Sequence, residues 1–319
     1  MKNTVEKVFV GVDCHKQTIA CFVNGKFKEF KTDFTGFKKA LEWAGKDCNW
    51  AIEGAYSYGL TFSAFLLESG CKVYEFNAFA TAKARKALSI SGEKNDFGDA
   101  KVISIFAKHT KLQEVSLKTI ALKKKITTRK LLVKQRTELT NNIKSSFLKN
   151  GEVLPFKSLM TNKATNWLIK HNDTDISSLA EVLKSMNITI KKLEEEIENL
   201  LPEQARKLTT ITGIRTLTAA VIYTELKGKK MTKAQLANYT GVAPVECSSG
   251  LTSKFRNNKR GNRTLNSVLY SVSLHQSRFD KIGAEYFSKK LQEGKSKRHA
   301  RKCLARQISN LIWKALFAA

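Results

Sequence analysis

Acidic side chains are scarce in this chain: 28 Asp and Glu stand against 56 Lys and Arg in 319 residues, a formal net charge of +28. That excess is far beyond what solubility requires and implies a polyanionic partner, nucleic acid first. Long apolar runs are missing too. Nothing approaches the roughly 18 consecutive apolar residues of a membrane span, and the start, MKNTVEKVFVGVD, lacks the layout of a secretory signal. The chain therefore reads as cytoplasmic, with no membrane partner. The six cysteines (Cys14, Cys21, Cys48, Cys71, Cys247, Cys303) form no C-x-x-C pair and have no neighbouring histidine ligand set. Neither a disulfide framework nor a zinc knuckle is supported, and ordinary reduced, mostly buried thiols are expected. Only three prolines occur, at 155, 202 and 244, and each marks a break in the pattern.

The length suggests two or three units, and the charge is split between them. Residues 1–110 carry 16 basic and 12 acidic side chains, leaving 40 and 16 for the remainder. The acid-using part and the polyanion-gripping part are thus largely different segments. VFVGVD (8–13), TIACFV (18–23), NWAIEG (49–54) and CKVYEF (71–76) are apolar and β-branched, and a helical stretch runs from Thr61 to Glu68. Strands interleaved with helices predict a layered α/β sheet.

From about residue 118 to 200 the chain reads as long helix. Leu132, Leu139, Ile143 and Phe147 recur beside the basic run Lys123, Lys124, Lys125, Arg129, Lys130, Lys134 and Arg136, until Gly151 and Pro155 interrupt it. Leu179, Leu183, Met186, Ile190, Leu193, Ile197 and Leu200 then alternate gaps of four and three, a coiled-coil seam. The seam fits either self-association or packing on the chain's own core, and Glu194, Glu195, Glu196 and Glu198 read as a solvated face. The last segment is mainly helical: Leu265, Val268, Leu269 and Val272 define one amphipathic face, and Leu304, Ile308, Leu311, Ile312 and Ala315 another. Residues 251–319 hold 16 basic and 3 acidic side chains.

Asp13 and Glu53 stand at the ends of two expected strands, and Asp96 and Asp99 lie one helical turn apart in KNDFGDAK. Singly, each reads first as a turn or cap residue. Together, clustered carboxylates in an acid-poor protein suit a hard cation such as Mg²⁺ or Mn²⁺. A pair of such ions would activate an attacking oxygen and stabilise a leaving one in phosphoryl transfer. His15, Lys16, Lys94 and Lys101 flank these acids, where they either touch phosphate or are plain surface.

Residues 239–261, YTGVAPVECSSGLTSKFRNNKRG, read as a loop carrying Ser248 and Ser249 before Lys254, Arg256, Lys259 and Arg260, with Arg263 just beyond. A serine hydroxyl activated by a metal or base attacks a phosphodiester, and the cations are placed to hold the flanking phosphates. Nucleic-acid contacts are expected from Lys123, Lys124, Lys125, Arg129 and Lys130 in the helical arm and from Lys254, Arg256, Lys259, Arg260 and Arg263 here. Gly213 precedes a helix start, as either a phosphate grip or a tight turn.

VGVDCHK, AIEGAYSYG and KNDFGDAK, followed in order by ITGI, YTGVAP, SSG and NKRGN, resemble the one-hundred-ten group of insertion-sequence transposases, which includes the pilin-gene invertases. The resemblance spans nearly the whole chain. It implies a RuvC-like, RNase-H-like α/β domain over 1–115 with Asp13, Glu53, Asp96 and Asp99 as catalytic metal ligands. It implies a helical coiled-coil arm over 116–202 and a mainly α transposase domain over 203–319 with Ser249 as nucleophile, Ser248 being the lesser candidate. It further implies Mg²⁺ or Mn²⁺, DNA as substrate, a structured guide RNA, a phosphoserine link to DNA, and a dimer or tetramer in which one subunit's metal site meets another's serine. Two rival readings remain open. One is a junction-resolving nuclease that uses water as nucleophile; the other is a non-catalytic nucleic-acid-binding protein.

Overall fold

The apolar, β-branched runs of the first hundred residues form the strands of a single sheet. The computed structural model describes residues 8–76, 81, 95–110, 112–227, 229, 231–249, 252–258 and 261–318. Within them the chain divides into two units, Met1–Lys123 with Leu226–Lys229, and Lys124–Glu225 with Lys230–Ala319.

The first unit is a six-stranded mixed sheet: β1 (Phe9–Cys14), β2 (Thr18–Val23), β3 (Lys26–Lys31), β4 (Asn49–Glu53), β5 (Lys72–Phe76) and β6 (Gln113–Glu114), in the order β3-β2-β1-β4-β5-β6. β1 to β3 make an antiparallel meander, and β1, β4 and β5 run parallel. This α/β architecture is compatible with the expected RNase-H-like unit. Four strands lie within a residue or so of their expected places. β3, KFKEFK, was not expected: its lysines are exposed and Phe30 alone is buried, the composition of a charged edge strand.

The strand period of two sorts side chains to the two faces. Val10, Val12, Trp50, Ile52 and Val73 face α1 (Phe34–Ala44) and α2 (Leu60–Glu68), with Trp50 edge-on to Phe62 at 5.5 Å. Phe9, Ala51 and Phe76 face the other way, onto Ile103 and Ala107 of α3 (Asp96–His109). α3 rests directly on β1 because Gly11 has no side chain: a Cβ there would lie 2.2 Å from the Ala100 carbonyl oxygen and 2.3 Å from the Ser104 nitrogen. Ser104 Oγ donates to the Phe9 carbonyl at 2.8 Å, a buried tie between helix and strand.

The second unit begins within α4 (Leu117–Lys149), which continues through α5 (Asn162–Ile169) to α6 (Thr174–Leu200). Near the turn between them Leu139, Ile143 and Phe147 pack with Leu168, Ile176, Ala180 and Leu183. Further along, Arg136 donates to Asn187 at 3.2 Å, Arg129 pairs with Glu194 at 2.6 Å and Lys125 with Glu196 at 2.6 Å. Contact positions rise along α6 as they fall along α4, so the two helices run antiparallel. The seam is thus covered by its own chain at Leu183, Ile190 and Ile197, all buried. Glu194 and Glu196 differ from the expected solvated face, because each meets a cation of α4.

After the short α7 (Glu203–Arg206) come α8 (Thr216–Leu226), α9 (Lys233–Tyr239), β7 (Pro244–Ser249), β8 (Thr252–Asn257), α10 (Arg263–Phe279), α11 (Lys281–Gln292) and α12 (Lys297–Phe317). The expected loop over 239–261 is instead an antiparallel hairpin, with Val245 opposite Arg256 and Ser249 opposite Thr252. Pro244 sits at the first position of β7, where a strand tolerates proline.

Candidate functional site

Asp13 and Glu53 occupy equivalent places in neighbouring strands. In the parallel pairing of β1 with β4, Val12 lies opposite Ile52, which puts Asp13 and Glu53 one step further at the carboxyl ends of both strands. By strand parity both follow the α3 face, Asp13 after Gly11 and Glu53 after Ala51. The parallel arrangement aligns the ends, and the close seating of α3 on Gly11 brings the first helical turn to the same edge.

That first turn carries Asp96 and Asp99, and neither caps the helix. The N-cap is Asn95, whose side-chain oxygen accepts from the Gly98 N–H at 2.6 Å. The capping explanation for the two aspartates is therefore removed. Asp99 is 3% exposed, whereas Asp96 lies nearer solvent. Both sit in the first turn, at the positive end of the helix dipole.

His15, one residue beyond β1, completes the arrangement. Its N–H donates to the Thr18 carbonyl at 2.8 Å and its own carbonyl accepts from Thr32 Oγ1 at 3.0 Å, so the backbone is held on both sides. The imidazole Nε2 is buried, 3.2 Å from Asp13 Oδ2 and 3.1 Å from Asp96 Oδ1. One ligand atom from each of Asp13, His15 and Asp96 falls within 4.8 Å of the others. Two hard carboxylate oxygens and an imidazole nitrogen around one point are a donor set that fits a divalent ion. The extended run Asp13-Cys14-His15 held the signal, since residues two apart in a strand share a face.

Cys14 points the other way, into the core. Burial first, then the charges of Asp13 and Glu53, push its thiol up to about 12 from an ordinary value of 9. The two carboxylates are therefore close enough for their fields to act together on one buried group.

The serine-bearing segment is built separately. Gly241, at φ 75°, and Gly261 meet backbone to backbone: a Cβ on Gly261 would lie 2.5 Å from the Gly241 Cα. Asn262 caps α10 by accepting from the Leu265 N–H at 3.0 Å, and its amide donates to Glu225 Oε2 at 2.6 Å and to the Tyr239 hydroxyl at 3.2 Å. The YTG turn and the Gly261-Asn262 step are thus locked together at the base of the β7–β8 hairpin, which carries Ser248 and Ser249 at its far end. The side chains of Ser248, Ser249 and Lys254, and all of Lys94, Lys259 and Arg260, lie outside the described residues.

The remaining expected contacts are divided. Lys124, Lys130, Arg256 and Arg263 are exposed. Lys123 lies over the Tyr56 ring at 5.1 Å, and Lys125 and Arg129 are engaged by Glu196 and Glu194. Gly213 forms a tight turn: its φ is 85°, and the preceding Thr212 carbonyl accepts from Gln276 at 2.8 Å. The five described cysteines are free thiols. Among the described residues no helix is long and apolar enough to cross a membrane.

Known proteins match both units. Residues 10–150 match the family model of DEDD-type IS110 transposases, and residues 205–288 that of the IS116/IS110/IS902 transposase family. The chain is 27% identical over 240 residues, 70% of either protein, to the transposase for insertion sequence element IS1328 of Yersinia enterocolitica. It is 30% identical over 149 residues to the IS110 uncharacterized 43.6 kDa protein of Streptomyces coelicolor, covering 45% of this chain and 37% of that protein.

Proposed function

Because this chain belongs to the IS110 family of transposases, we propose that it cuts and rejoins DNA at a metal-dependent carboxylate site with Ser249 as nucleophile. The observation that carries this reading is the convergence of Asp13, His15 and Asp96 at the carboxyl end of β1, beside the strand that ends in Glu53. Asp13, Glu53, Asp96 and Asp99 hold the ion, Mg²⁺ or Mn²⁺, and His15 joins them. When bound, the ion offsets charge on the scissile phosphate and its departing oxygen.

The chain's own groups do the rest. Ser249 Oγ forms the new bond to phosphorus as one bridging ester oxygen leaves, and the strand is held as a phosphoserine until a second strand takes its place. Arg256, Arg263, Lys254, Lys259 and Arg260 hold neighbouring phosphates, and the exposed lysines of α4 bind backbone further away. In this reading residues 1–115 are the catalytic domain, 116–202 the arm, and 203–319 the serine domain. A structured guide RNA bound to the basic surfaces and assembly into a dimer or tetramer belong to the same reading.

The test is to incubate the protein with element-end DNA and Mg²⁺ or Mn²⁺, with and without co-transcribed flanking RNA, and to map any protein–DNA adduct. An adduct at Ser249, lost in Ser249→Ala and in Asp13→Asn, is expected. Cleavage that persists in Ser249→Ala would instead identify a nuclease that uses water.

A further inference from the structure

Two cavities on the second unit share a wall. One, of about 410 Å³, lies between Tyr270 on α10 and the start of α12, where Arg298, Arg301 and Lys302 line it. The other, of about 430 Å³, runs from Tyr270 toward Arg263 and the residue after β8, Asn258. Asn266 and Tyr270 line both, so the two form a single trough with an aromatic ring at its middle and cations at either end. Each half has the volume of a small-molecule site.

The charge in this trough is one-sided. No carboxylate is among the described residues lining either cavity. Burial first, and then the charge of Arg298, pull Lys302 below the ordinary lysine value. Arg301 is stacked over Phe287 at 5.8 Å, and its Nε is buried without a hydrogen-bond acceptor. Arg301 and Lys302 are half-buried and Arg298 is exposed, three cations that present one sign of charge at this end of the trough. Tyr270, 50% exposed, adds a flat apolar surface between them.

We propose that this trough seats one unpaired nucleotide of the DNA strand being processed, with its base on the Tyr270 ring and its flanking phosphates on Arg298 and Lys302 at one end and Arg263 at the other. A lone exposed ring between cations is the arrangement that binds single strands, because each base has a face to stack, whereas the bases of a duplex are already stacked. The commitment to DNA rests on the function proposed above: the trough opens beside Asn258, which follows β8, and β7 of the same hairpin carries Ser249.

The test uses the full-length protein without divalent ions and measures fluorescence anisotropy with a labelled ten-nucleotide oligothymidylate, a duplex of equal length and an oligouridylate. Tyr270→Leu is expected to weaken oligothymidylate binding about tenfold, with duplex binding changed less than twofold and Tyr270→Phe close to wild type. Arg298→Gln and Lys302→Gln are each expected to lower the salt dependence of single-strand binding by about one phosphate contact. Equal loss on duplex, or no loss on either single strand, overturns the trough as a nucleotide seat; loss on oligouridylate alone overturns DNA as its occupant. The Ser249 adduct is read separately, so failure there leaves this binding result standing, and the reverse also holds.

Discussion

Gly11 of β1 lies against the backbone of Ser104 in α3 with no room for a methyl group, and the Ser104 hydroxyl reaches past it to the Phe9 carbonyl. This one contact sets how near the first turn of α3, with Asp96 and Asp99, comes to Asp13 on the same strand. The candidate site therefore depends on a residue that carries no chemistry.

Gly11→Ala should accordingly destabilise the protein by about 1–3 kcal/mol or more through overpacking. Ser104→Ala, which leaves the buried Phe9 carbonyl short of a donor, should cost about 1–3 kcal/mol. Thermal melts measure both. A Gly11→Ala protein that melts with the wild type would show that helix and strand are not in such close contact.

Ion binding separates the roles of the site residues. Asp13→Asn and Asp99→Asn are expected to abolish Mn²⁺ binding in titration calorimetry while duplex DNA affinity stays within about twofold, since the basic surfaces are untouched. His15→Gln, which removes one donor atom of the group, should weaken Mn²⁺ by about tenfold or more. Unchanged Mn²⁺ affinity in His15→Gln would remove that imidazole from the ion's donors.

The basic face of α4 should divide in the same way. Lys124→Gln and Lys130→Gln, both at exposed positions, are expected to weaken duplex binding and to lower its salt slope by about one phosphate each. Arg129→Gln, which breaks the pair with Glu194, should act chiefly on the α4–α6 hairpin, by roughly 1 kcal/mol or less for a pair this near the surface. Salt titrations alongside urea unfolding tell the two effects apart.

The Cys14 thiol adds a pH dependence. Its value rises from 9 unfolded to about 12 folded, so between these limits the folded protein keeps a proton that the unfolded chain releases. Its contribution to stability is complete below pH 9 and declines as pH rises toward 12. Cys14→Ala should flatten that part of the stability curve, and the wild-type thiol should resist alkylation at pH 8. Fast alkylation of native Cys14 would contradict its burial.

Much of the first unit was readable in advance because its strands are runs of β-branched and apolar residues, and a run buried on both faces carries its own signature. β3 escaped because an edge strand of lysines needs only Phe30 inside. The β7–β8 hairpin escaped because small and charged residues gave it no apolar period. In the sequence His15 is a mere neighbour of Asp13, and only its spacing of two along an extended run points it to the same face.

Local composition by itself determined the charge imbalance, most strand and helix positions, and which residue types could meet a cation, since these depend on neighbours along the chain. Which acids and which imidazole share a point, which of the basic residues of α4 meet a glutamate, and that the α6 seam is covered by its own chain were decided only by tertiary structure. Those facts depend on distances between segments far apart in sequence, and such distances are set by close packing of the kind that Gly11 permits.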